Sequence, residues 1–100
     1  MAQRKIVWST NAKNDLLTIL EYFHQRNGSK IYGRKLSRKI SRSVNLLRKF
    51  PNLGQQTDIV HIRNLIESDY TIFYQVYEEI VWILAIWDCR QDPETLSEVF

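Results

Sequence analysis

The periodicity of the apolar residues changes once along this chain, at the turn P51-N-L-G54, and that change constrains the fold more than any other feature. Before it, apolar residues recur at intervals of three and four. After it they alternate. At about 100° per residue the first pattern lies on one face of a helix, and at about 180° the second lies on one face of a strand. Residues 4–8 (RKIVW) read as a short strand, and Ser9, Thr10 or Asn11 can then cap a helix. Ala12, Leu16, Ile19, Leu20 and Phe23 form the inner face of that helix. Asn27-Gly28 ends it, because glycine accepts the left-handed conformation of a helix C-cap. A second helix is expected from Ser29 or Lys30 to Phe50, with Tyr32, Leu36, Ile40, Val44, Leu47 and Phe50 turned inward and Pro51 as its stop.

Strand patterns follow. Ile59–Arg63 is β-branched and alternating, and in Tyr70–Tyr77 the residues Tyr70, Ile72, Tyr74 and Val76 share a face. Glu78-Glu79 makes a tight link to Ile80–Trp87, which is apolar at every position and so reads as a central strand covered on both sides. The expected architecture is one α+β domain over residues 1–100, in the order β-α-α-β-β-β, with a helix hairpin packed on one face of a small antiparallel sheet.

Charge is divided unevenly along this chain. Residues 1–50 hold 12 Lys/Arg against 2 Asp/Glu (+10), and residues 51–100 hold 2 against 9 (−7), so the formal net charge of +3 conceals one strongly basic half. Eight of the 14 basic residues fall between Lys30 and Lys49, around the outer arc of the second helix, and no acid offsets them. Such a surface suits an acidic or polyanionic partner, although helices also carry solvated cations for solubility alone.

Several chemistries find no support. His24 and His61 lack a second ligand at a metal-binding interval, and the scattered glycines form no phosphate loop. Cys89 is single and has no base near it in sequence, so neither an internal disulfide nor an activated thiol is expected. The longest apolar run, Ile80–Trp87, is too short to span a bilayer, and the N-terminus has no apolar core of a signal peptide. A cytoplasmic protein without membrane contact, metal or cofactor is the expectation.

The fragments N-A-K-N-D-L-L, F-P-N-L-G, I-R-N-L followed by Y-T-I-F-Y-Q-V, and I-L-A-I-W-D-C-R-Q-D-P occur in this order over almost the whole chain. In this the chain resembles the RelE/ParE superfamily of bacterial toxins from type II toxin–antitoxin operons. The resemblance implies a small cytoplasmic, growth-inhibiting toxin of the kind that stabilises plasmids. It implies neutralisation by a cognate antitoxin, with operator DNA contacted only through that antitoxin. Its target would be the ribosome in the RelE branch, where mRNA is cleaved, or DNA gyrase in the ParE branch.

RelE-like cleavage is attack of a ribose 2′-hydroxyl on the adjacent phosphate. It needs proton transfer groups and cations for the charge developing on phosphorus. Arg63 and Arg90 stand at roughly matching places and are the catalytic candidates if the chain is a nuclease. Thr71, however, stands where the RelE pattern has arginine, and Leu96 where it has a C-terminal tyrosine, so the nuclease set is incomplete. The I-R-N-L-x4-Y-x-I-F-Y pattern is closer to the ParE branch, which implies a binding inhibitor rather than an enzyme. Arg63, Arg90, Tyr70, Arg34, Arg38 and Arg42 are the candidate target- or antitoxin-binding residues. Arg90 has two readings, an ion pair with Asp88 or Asp92 and a rim guanidinium for an antitoxin carboxylate or a phosphate. A plain nucleic-acid-binding module using the basic second helix is a further alternative.

Overall fold

A computed structural model of the chain describes residues 3–88. Its elements are β1 (Lys5–Trp8), α1 (Thr10–Asn27), α2 (Ile31–Leu46), β2 (Gln55–Gln56), β3 (Arg63–Glu67), β4 (Tyr70–Val76) and β5 (Ile80–Asp88). The five strands form one sheet in the order β1-β5-β4-β3-β2.

Local sequence explains the helix ends. The Ser9 hydroxyl accepts the Ala12 N–H at 3.0 Å and caps α1, while Gly28, at φ 64°, returns its N–H to the His24 carbonyl. The second helix is shorter than its apolar pattern suggests. It stops at Leu46, and the chain then tightens through turn bonds such as Leu47 N–H to Val44 O. Leu47 keeps right-handed helical angles, so the last turn tightens to i→i−3 bonds, and Pro51 restricts only Phe50 directly. Leu47 still reaches the core from this turn, but Phe50 is exposed. Tyr32 is also exposed, with its ring tilted at 57° against Phe23, centroids 4.5 Å apart, instead of entering the core.

The sheet is mixed, not purely antiparallel. β3, β4 and β5 make the expected meander, but β1 lies parallel to β5, Lys5 beside Ile80 and Trp8 beside Ile83. A parallel neighbour needs a long crossover, and the helix hairpin is part of it. This leaves β5 central, as its composition indicates. Its register against β4 shifts between Phe73 and Tyr74: Phe73 pairs with Ala85 and Tyr74 with Ile83, which leaves Leu84 as an extra residue. The bulge shifts the alternation of β5 by one residue, and the strand is apolar at consecutive positions because both its faces meet apolar clusters. Val81, Ile83 and Ile86 join Leu36, Ile40 and Val44 under the helices, whereas Ala85 joins Ile62 and Phe73 in a second, smaller cluster.

One strand is displaced from its expected place. Ile59–Arg63 has a strand-like composition, but the ladder begins at Arg63 and runs to Glu67. The Thr57 hydroxyl accepts from Ile59 N–H (3.1 Å) and lies 2.7 Å from the Ile62 carbonyl, and Thr57 N–H also donates to that carbonyl. Residues 57–62 are therefore a closed loop, with His61 at φ 69°. Side-chain to backbone bonds have overridden β-propensity there.

Candidate functional site

The bulge and the helix caps converge on the edge of β5. Beyond Trp8 the strand has no β1 neighbour, and α1 supplies replacements. Ser9 N–H donates to Ile83 O, the Ser9 hydroxyl donates to Leu84 O at 3.0 Å, and Asn11 Nδ2 approaches the same carbonyl at 3.4 Å. One turn on, Asp15 Oδ2 accepts the Ile86 N–H at 3.0 Å. Burial pushes the Asp15 carboxyl above its ordinary value, and the Ile86 bond opposes that rise in part. Asp15 is the one half-buried charged residue of α1, where Lys13, Glu21 and Arg26 are exposed, a placement the periodicity reading passed over.

A second constellation lies at the turn before β2. The Tyr74 side chain is fully buried; its hydroxyl accepts the Gly54 N–H and donates to the Pro51 carbonyl, both at 2.9 Å. Arg63, paired across the ladder with Tyr74, donates from Nη1 to the Gly54 carbonyl at 2.8 Å. A Cβ on residue 54 would lie 2.5 Å from Asn64 O and 2.6 Å from Tyr74 Oη, so glycine is required for space. Burial raises the Tyr74 phenol above its ordinary value, against the Gly54 bond and the Arg63 charge, which lower it. The intervals between F-P-N-L-G, I-R-N-L and Y-T-I-F-Y thus have a structural meaning: Arg63 and Tyr74 clamp the turn.

The sequence-derived candidates do not form one cluster. Arg63 is half-buried and engaged with Gly54. Tyr70 is 4% exposed and belongs to the core under the helices, although it also borders a polar recess with Tyr22, Arg26, Tyr32 and Asp69. Arg34, Arg38 and Arg42 are exposed along α2, well separated in role from the Arg63 clamp. Arg90 lies outside the described residues. Arg48 and Lys49 follow α2 in the turn, and Lys30 precedes it, so the helix itself holds five of the eight cations counted in this region. Sequence reading missed a groove between the two helices, about 470 Å³, where Leu17, Leu20 and Gly33 meet Lys30, Arg34 and Arg38. Among the described residues no group of His, Cys, Asp or Glu could hold a metal ion, and no helix is long and apolar enough to cross a membrane.

A helix hairpin laid over a five-stranded mixed sheet, entered through β1 and closed by β5, defines a small α+β domain of the RelE/ParE type. The family model for the ParE toxin of the type II toxin–antitoxin system parDE matches residues 6–93, and the chain belongs to that family. Among solved structures, the fold is similar to the chromosomal ParDE toxin–antitoxin system from P. aeruginosa. That match has a TM-score of 0.77 at 21% identity and covers 86% of this chain and 96% of the other. It is also similar to the RelBE2 toxin–antitoxin complex from Mycobacterium tuberculosis, with a TM-score of 0.63 at 15% identity, covering 86% and 98%. No curated protein matches the sequence significantly.

Proposed function

We propose that this toxin inhibits bacterial growth by binding and poisoning DNA gyrase, and that a cognate antitoxin encoded in the same operon restrains it. The observation that carries the reading is the ParE family match across residues 6–93. The state of the nuclease candidates supports it. Thr71, at the position where the RelE pattern has arginine, is 9% exposed, and Arg63 is bonded to a backbone carbonyl rather than presented to a phosphate. Cleavage of RNA requires proton transfer groups and cations aimed at the reacting phosphate. Arg63 and Tyr70 are instead built into the support of the fold, and a binding inhibitor needs no reacting set.

The second reading, ribosome-dependent mRNA cleavage, draws on the structural similarity to a RelBE2 complex. Inducible expression in bacteria separates the two. Gyrase poisoning leaves broken chromosomal DNA and induces the DNA-damage response while mRNA stays intact. Ribosomal cleavage shortens mRNA within codons and leaves the chromosome whole. Intact DNA with cut mRNA would reverse the assignment. Growth restored by co-expressing the small protein of the adjoining reading frame would support the antitoxin part of the proposal, and unchanged inhibition would count against it.

A further inference from the structure

A polar recess of about 360 Å³ lies where the end of α1, the start of α2 and the β3–β4 turn meet, and neither the Gly54 clamp nor the β5 edge uses it. Its lining combines three kinds of group. Tyr22, Phe23 and Tyr32 supply aromatic rings, Arg26 a cation and Asp69 a carboxylate. The rings brace one another: Tyr22 meets Phe23 edge-on at 5.1 Å, and Phe23 meets Tyr32 at 4.5 Å. Tyr22 and Tyr32 nevertheless remain 51% and 45% exposed, so aromatic surface is left for a further ring. Arg26 is held in place, since its Nη1 donates to the Tyr22 hydroxyl at 2.7 Å. That bond occupies one of the five N–H donors of a guanidinium. Asp69 is exposed in the two-residue turn that links the paired residues Glu67 and Tyr70, so the ladder fixes where its backbone lies.

We infer that this recess binds a free guanosine phosphate, with the base on the tyrosines and at Asp69 and the phosphate at Arg26. The carboxylate selects the base. An ionised carboxylate only accepts hydrogen bonds, and guanine presents it with two adjacent donors, N1–H and the 2-amino group. Adenine, cytosine and uracil place an acceptor beside each donor on the same edge, and that lone pair would face the carboxylate. The flat base suits the tyrosine rings, because stacking needs only a ring face. Arg26 favours a phosphate over a neutral nucleoside, since its planar fork matches phosphate oxygens. The volume lies at the lower end of the ~300–1,000 Å³ common for small-molecule sites, which suits one nucleotide. A nucleic-acid strand is the poorer fit, because a strand follows a cationic track and Arg26 is the one cation among the described lining residues. The inference stands apart from the choice between gyrase and ribosome, and its test involves neither.

The test is a titration of the full chain, ¹⁵N-labelled, with guanosine, the monophosphates of guanosine, adenosine and xanthosine, and a short single-stranded RNA containing guanine. Guanosine monophosphate should shift the amides of Arg26, Asn27 and Asp69, all lining residues, and should bind about tenfold more tightly than adenosine monophosphate. Guanosine should bind about fivefold more weakly than its monophosphate, and Arg26→Ala should remove that difference. Asp69→Asn offers one donor and one acceptor, the complement of O2 and N1–H of xanthine, so this variant should bind xanthosine monophosphate more tightly than guanosine monophosphate. Both substituted side chains are exposed, so the variants should fold as the parent does, which circular dichroism checks. Equal binding of the guanosine and adenosine monophosphates by the parent would overturn the base assignment. So would an Asp69→Asn protein that keeps the parent's preference for guanine over xanthine. Recess amides that do not move at ~1 mM guanosine monophosphate would overturn the site. RNA bound about tenfold more tightly than the mononucleotide would overturn the free nucleotide as its occupant.

Discussion

Replacing Tyr74 with phenylalanine tests the turn clamp with the loss of a single oxygen. The ring is fully buried and its packing would remain, so the change isolates two hydrogen bonds, from Gly54 N–H and to Pro51 O. Gly54 is buried, and its N–H would be left without that acceptor. A net hydrogen bond is worth about 0.5–1.5 kcal/mol, and a buried unsatisfied donor costs about 1–3 kcal/mol. Together these give about 2–3 kcal/mol, a large share of the ~5–15 kcal/mol that holds a domain folded. For a domain of this size each kcal/mol corresponds to about 4–8 °C in Tm, so a fall of at least ~8 °C is expected by calorimetry or circular dichroism. Arg63→Ala should cost less, about 1 kcal/mol, because its guanidinium is only half-buried and one bond is lost. Combined, the two changes should be non-additive, since both act on Gly54. A Tyr74→Phe protein that melts within ~2 °C of the parent would show that the clamp contributes nothing measurable.

Further outcomes follow from the same geometry. Gly54→Ala should destabilise by more than ~2 kcal/mol, because the Asn64 carbonyl in its way is backbone; denaturant titration reads this directly. Ser9→Ala removes both the α1 cap and the donor to Leu84 O, and should cost about 1–2 kcal/mol by the same measurement. The folded pKa of Asp15 is raised above 3.8, so its neutral form is favoured in the native state, and stability is lost as pH rises through that elevated value. Asp15→Asn keeps an acceptor for Ile86 N–H and should flatten this dependence without lowering stability at pH 7, whereas a pH profile unchanged by the substitution would contradict the assignment.

How much the sequence discloses depends on whether a feature is local. Ser9 and Gly28 bound α1 by contacts within a few residues, and the alternation of Tyr70, Ile72 and Tyr74 places them correctly under the helices. Errors arise where distant parts decide. Thr57 and Ile62 close a loop through side-chain bonds that no propensity records, so β3 starts four residues later than its composition suggests. The parallel pairing of β1 with β5 joins the two ends of the domain and has no short-range signature. Arg63 shows the same limit at the candidate site. Its place in the motif is visible in sequence, but its commitment to Gly54 is visible only in three dimensions. Gly33 carries no signal in the sequence pattern, and its role as a close contact between the helices is legible only beside Leu20.

The central claim is that this ParE-family chain acts on gyrase as a ligand without chemistry of its own. The most direct measurement incubates the purified protein with gyrase, ATP and plasmid, and resolves the topoisomers on a gel after the enzyme is digested. The account predicts loss of supercoiling and the appearance of linear plasmid that depends on both proteins. Unimpaired supercoiling with no linear product, from a preparation that cuts mRNA on translating ribosomes, would contradict it.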